Sequence, residues 1–184
     1  MIVFEKPGRE NLEQTVDLAI QAAQDRGIGT IVAPSSKGDT ARYLVKALDA
    51  GLNVVAVTLC NGFKAPGEQA FPADLRAELT EKGMHILTAS HVLSGAERGL
   101  STRFQGVYPV EVMAHTLRMF GQGTKVAVEC AVMALDAGLI PYMEPIVALG
   151  GTGGGVDTAL VMRTAHAARI LDCRIAEIIC KPAG

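Results

Sequence analysis

Apolar positions follow two rhythms along this chain. Short apolar runs bounded by turn formers alternate with longer stretches in which apolar residues recur every three or four positions. The runs are Ile2–Phe4, Ile31–Ala33, Val54–Leu59, His85–Thr88, Pro145–Leu149, Thr158–Arg163 and Arg174–Cys180. Each is too short for a helix and suits a buried strand. Helical spacing holds from Glu10 to Arg26 (Leu12, Val16, Ala19, Ile20, Ala23) and from Asp39 to Gly51 (Leu44, Ala47, Leu48). It returns in the stretch from Pro72 to Gly83, in Pro109 to Phe120 and in Thr124 to Ala137, and Thr164–Leu171 reads as a short helix. Alternation of this kind predicts parallel strands joined by right-handed crossovers, with helices on both faces. The last strands follow one another too closely for all to be parallel, so the sheet is expected to be mixed. Residues 1–184 are expected to form a single α/β domain, a length that supports one sizeable core.

In such a sheet ligands bind where the strands end at their carboxyl edge. The stretch TIVAPSSKGDTAR, Thr30 to Arg42, runs from a strand through a small polar loop to a helix start. Ser35, Ser36, Lys37 and Gly38 are turn formers, and Asp39 or Thr40 can cap the helix. Free N–H groups, the helix dipole, two hydroxyls and a lysine meet there, as in an anion site. An ordinary capped turn reads equally well. The loop Cys60–Phe71 holds Gly and Pro. Ala89–Val107 is long, carries His91, Ser94, Glu97, Arg98 and Arg103, and reads as a ligand-wrapping lid or as a short helix from Ser94 to Leu100. Gly150-Gly151-Thr152-Gly153-Gly154-Gly155 follows a strand directly, which favours close backbone approach to a ligand over a plain turn. Glu129 lies in a helix apolar on most of its circumference. It either pairs with Lys125 one turn back or faces the strand edge as a desolvated carboxylate.

Composition narrows the partners. The apolar fraction is 49%, the mean hydropathy +0.27 and aromatics only 4%, so Ala, Val, Leu, Ile and Met build the core. That excess points to apolar surface shared between subunits, hence a homo-oligomer. A net charge of -2, with no basic block, argues against nucleic acid. No run reaches membrane-spanning length and no secretion signal is visible, so no membrane partner and a cytoplasmic location are expected. Cys60, Cys130, Cys173 and Cys180 show no metal spacing and read as reduced, mostly buried thiols, with Cys60 at a strand end where it can face a ligand. His85, His91, His115 and His166 form no metal motif, so no metal is expected. The Walker A, dinucleotide and nucleophile-elbow patterns are absent.

Five segments in order, PGREN (Pro7–Asn11), SSKGDTA (Ser35–Ala41), LSGAER (Leu93–Arg98), FGQGTKVAVE (Phe120–Glu129) and GVDTALVMR (Gly155–Arg163), resemble a small family of stand-alone archaeal and bacterial proteins. That family is related in fold to the C-terminal domain of pyruvate kinase. The resemblance implies a three-layer αβα domain with a mixed sheet of order 3-2-1-4-5, the fifth strand antiparallel. In pyruvate kinase the corresponding domain does no chemistry and holds a phosphorylated effector on loops similar to Ser35–Thr40 and Gly150–Gly155. The stand-alone members imply flavin mononucleotide (FMN). Its phosphate would then lie at Ser35, Ser36, Lys37, Gly38, Asp39 and Thr40. Its remaining contacts would come from Thr58, Asn61, Phe63, His91, Ser94, Gly95, Arg103, Glu129, Gly150, Gly151, Thr152, Gly153 and Asp157. Asp39 is negative and would cap the helix or accept from ribityl hydroxyls. A redox activity, a non-catalytic sensor of a sugar phosphate, and a non-flavin enzyme using Glu129 or His91 as acid or base all follow as expectations. Pyruvate kinase activity is not among them.

Overall fold

A computed structural model describes residues 1–183. In chain order the elements are β1 (Ile2–Phe4), a 3₁₀ turn (Arg9–Asn11), α1 (Leu12–Asp25), β2 (Thr30–Pro34), α2 (Asp39–Tyr43), α3 (Val45–Asp49), β3 (Asn53–Val57) and α4 (Ala73–Glu81). There follow β4 (His85–Leu87), α5 (Gly95–Phe104), α6 (Pro109–Arg118), α7 (Gln122–Asp136), β5 (Pro145–Gly150), β6 (Thr158–Arg163), a second 3₁₀ segment (Ala167–Asp172) and β7 (Arg174–Pro182). They form one sheet in the order β1-β7-β6-β5-β2-β3-β4. β6 runs antiparallel to both of its neighbours, and the remaining pairings are parallel. Counted from β2, the strands β4-β3-β2-β5-β6 reproduce the expected 3-2-1-4-5 order with its fifth strand reversed. β7 and then β1 extend the sheet beyond it.

Strand periodicity sorts the core into two layers. Ile31, Ala33, Val54, Ala56, Val147 and Leu149 face α1, α2, α3 and α4. Their neighbours Val32, Val55, Ile146 and Ala148 face α7 on the other side. α7 is buried from Gly123 to Leu135 except for the half-buried Val126, which accounts for its apolar circumference: the sheet covers one side, and α6 and the segment ahead of α5 cover the other. Helix and strand meet closely at Gly150, where a Cβ would fall 1.8 Å from the Gly123 carbonyl oxygen and 2.8 Å from the Ala127 nitrogen. Only glycine lets the N-terminal turn of α7 rest on the end of β5.

Two expectations change. The stretch Ala89–Val107 is not an open lid: residues 95–104 form α5, longer than the short surface helix that was the alternative. The helix expected from Asp39 to Gly51 is two short helices, broken at Leu44.

Candidate functional site

The loop after β2 stays tied to the sheet, since the Ser35 N–H donates to the Val57 carbonyl (2.8 Å). Ser35 is buried, and its Oγ accepts a hydrogen bond from the Ala41 N–H (3.1 Å). The expected cap by Asp39 or Thr40 is not made. Gly38, at φ 100°, precedes α2, and no side chain caps that helix from the capping position. The left-handed turn at Gly38 brings Ser35, not Asp39, under the helix. Thr40 is buried, whereas Ser36 and Lys37 are exposed. Among the described residues the N–H groups of Ser36 to Thr40 donate no hydrogen bond, which leaves them to a ligand or solvent.

The glycine loop closes the β5–β6 hairpin, with the Asp157 N–H donating to the Gly150 carbonyl (2.9 Å). Asp157 is fully buried, and both of its oxygens are engaged. Oδ2 accepts from the Gly8 N–H (3.1 Å), and Oδ1 accepts from the Thr158 hydroxyl (2.9 Å). Asp157 thus anchors the loop after β1 rather than pointing at a ligand. Gly155 (φ 89°) packs against Arg9: a Cβ there would lie 3.2 Å from the Arg9 Cα. Arg9 in turn sets its guanidinium 3.4 Å from the Asp39 carboxylate. An exposed pair of this kind adds little stability. Its importance is charge, because it offsets the negative Asp39 at the start of α2. Residue-by-residue reading missed Arg9, and its only sequence signal is the PGREN segment.

The other nominated residues fall into two groups. Phe63 borders a cleft of about 220 Å³ together with Lys37, Cys60, Lys64 and Gln69, next to the Ser36–Thr40 loop. Asn61 is tied to Gln69 Nε2 (2.8 Å) on the same loop. The Phe63 ring also meets the His91 imidazole, centroids 5.3 Å apart, and the Arg98 guanidinium lies 5.6 Å from the Phe63 centroid. Phe63 therefore links the cleft beside the Ser36–Thr40 loop to the segment after β4. His91, Ser94 and Gly95 line a different cavity, of about 520 Å³, and Arg103 lies exposed on α5, lining neither. Thr58 is buried, its hydroxyl 2.7 Å from that of Thr88 and 3.0 Å from the Leu59 carbonyl.

Glu129 pairs with Lys125 at 2.5 Å, both side chains almost fully buried, and its second oxygen accepts the Leu93 N–H (3.0 Å). The carboxylate is fully used in pinning the segment before α5 onto α7. Burial pushes the His91 imidazole below its ordinary range; Glu129 opposes that shift, while Lys125 and Arg98 add to it. Burial raises the Cys130 thiol strongly and pushes Cys180 up to about 11, so both are packing groups without thiolate chemistry.

The family described as pyruvate kinase, alpha/beta domain, matches residues 13–162. The chain belongs to that family. Three solved pyruvate kinase structures from Cryptosporidium parvum also align with it. The first is 15% identical with a TM-score of 0.40, covering 86% of this chain and 23% of that one. The second is 14% identical with a TM-score of 0.41, covering 81% and 22%. The third, solved in complex with ADP, is 16% identical with a TM-score of 0.42, covering 87% and 25%. The chain thus spans about a quarter of the length of these enzymes. Among the described residues no helix is long and apolar enough to cross a membrane.

Proposed function

We propose that this pyruvate kinase alpha/beta-domain protein binds a phosphorylated small molecule at the carboxyl edge of its sheet, FMN foremost. The observation that carries the reading is that the Ser36–Thr40 amides donate no hydrogen bond among the described residues, on a loop whose Asp39 is ion-paired with Arg9. Ser36, Lys37, the loop amides and Arg9 would hold the phosphate, and Phe63 offers an exposed aromatic face for a flat ring. FMN would bring electron or hydride transfer to the site. A second reading, a non-catalytic sensor of a sugar phosphate, gains support from Glu129, whose oxygens are both engaged and which is no free base. That leaves His91 as the acid–base candidate for a non-flavin enzyme. The cell compartment is read as cytoplasmic from the cysteines. The exposed Leu100, Phe104, Val107, Val112, Met119 and Phe120 on and around α5 and α6 support a homo-oligomer.

The test is an absorbance spectrum of the purified protein followed by calorimetric titration with FMN and riboflavin. FMN is expected to bind at least about tenfold more tightly than riboflavin, with most of that preference lost in Arg9→Gln, as befits a charge-assisted contact. Binding of neither flavin, with a sugar bisphosphate raising the melting temperature instead, overturns FMN in favour of the sensor.

A further inference from the structure

α5 lacks the packing that usually holds a helix. Its ten residues bury none of their side chains. That length falls short of the ~12–15 residues an isolated helix needs in water, and Gly95 and Gly99 lower its propensity further. Two polar ties hold it to α6: Glu97 Oε1 accepts the Val110 N–H (3.1 Å), and the Ser101 hydroxyl donates to Glu111 (2.6 Å). Yet Leu100 and Phe104, one turn apart, stand in water, and Val107 follows them. α6 repeats the pattern. Its Ala114 is buried, while Val112 and Met119, about two turns apart, and Phe120 just past its end are exposed. These six side chains are 47% to 83% exposed. At roughly 150–250 Å² for a large side chain, they leave about 700 Å² of apolar surface in water. That exceeds the ~300–600 Å² of the largest patch on a typical monomer and approaches the ~800 Å² each partner gives to a standard interface.

We propose that this α5–α6 face is where two copies of the chain meet about a twofold axis, and that the contact is what keeps α5 folded. The inference rests on the homo-oligomer reading above and adds the surface and its consequence. The face is complementary to itself. Two α6 helices crossing antiparallel about an axis between His115 and Thr116 bring Val112 opposite Met119 in both directions. Leu100, Phe104 and Val107 then flank that seam and leave water. The edges of the sheet are poorer candidates: Arg76 donates to the Ile86 carbonyl at β4 (3.0 Å), and β1 offers three residues. Because α5 also walls the cavity of about 520 Å³, that cavity is complete only in the dimer.

The experiment is sedimentation velocity of the full chain across micromolar concentrations, with amide hydrogen exchange at both ends of the range. A monomer–dimer equilibrium is expected. Phe104→Glu and Met119→Glu are each expected to weaken it about tenfold or more, since each sets a carboxylate into an apolar seam. In dilute solution, where all are monomers, both variants are expected to melt with the unsubstituted chain, because neither side chain enters the core. Val3→Glu, on the exposed β1 edge, is expected to leave the equilibrium unchanged. The amides of residues 97–104 are expected to exchange more slowly at high concentration, and to lose that protection in Phe104→Glu. A monomer at every concentration overturns the homo-oligomer reading and this inference together. A dimer that survives both glutamate variants leaves that reading standing and overturns this face. Exchange of residues 97–104 that ignores concentration in a chain that does dimerise overturns the ordering of α5. Binding to phosphatidylserine vesicles by a chain that stays monomeric assigns the face to a membrane and overturns the pairing.

Discussion

Lys125 and Glu129 place two opposite charges, each about 95% buried, on the face of α7 that the segment before α5 covers. Lys125→Met keeps the stem but strands the carboxylate with the Leu93 amide as its one donor. Glu129→Gln keeps an acceptor for that amide but strands the ammonium beside a neutral partner. Removing one member of a buried pair costs ~3–5 kcal/mol, and the surviving neutral contact puts each variant at the low end, about 3 kcal/mol. In a chain of this size about 1 kcal/mol moves the melting temperature ~2–4 °C, so each single variant should melt roughly 6–12 °C lower. The double variant buries no charge, retains the Leu93 contact and nearly conserves volume. It should lose no more than about 1 kcal/mol and be more stable than either single. Urea unfolding followed by circular dichroism, extrapolated to water, measures all three. If the double variant's loss equals the sum of the two singles, the pair is not coupled as its geometry requires. If Lys125→Met alone is neutral, the carboxylate is not paying the desolvation that burial implies.

Gly150→Ala would drive a methyl group into the Gly123 carbonyl and the α7 backbone, and should cost about 3 kcal/mol or more, whereas Gly99→Ala, which meets nothing within 4 Å on exposed α5, should be neutral or stabilise by ~0.5–1 kcal/mol; thermal melts compare them. The folded-state His91 pKa lies below its unfolded value of about 6.5, so the unfolded chain takes up this proton first. That contribution is complete above about pH 6.5 and is lost as pH falls towards the folded pKa. His91→Gln should therefore flatten the decline of stability between about pH 7 and 5, with Glu129, Lys125 and Arg98 left in place, and an unchanged slope in urea titrations would refute the assignment.

The sheet was legible because strands buried on both faces write unbroken apolar runs, and their turn residues mark where each stops. The order of the middle strands came from the resemblance, since runs such as Val54–Leu59 carry no information about their neighbours. The stretch holding α5 reads either as a lid or as a short helix from Ser94 to Leu100 for a physical reason: it buries none of its residues, so no apolar stripe marks the full helix, and Gly95 and Gly99 weaken its propensity. The break at Leu44 and the service of Ser35 to α2 were equally invisible, because both arise from backbone conformation around Gly38. Of the candidate site, the loops were located correctly at the carboxyl edge, but their side chains were not sorted. Asp157, Thr58 and Glu129 are polar residues that look available in sequence and are spent on internal hydrogen bonds in three dimensions. Arg9 had the opposite fate. Its loop is held by a carboxylate far along the chain, Asp157, which accepts the N–H of the preceding Gly8 149 positions away.

α5 rests on its neighbours through a few polar ties, Glu97 to the start of α6 and Ser101 to Glu111, with nothing of its own in the core. The stability of the fold is therefore written outside residues 95–104. Substitutions along residues 95–104 can remodel the wall of the adjoining cavity while the apolar packing around the sheet stays as it is. Such a helix is a replaceable panel on a fixed frame, open to a gradual change of shape that a core helix such as α7 forbids.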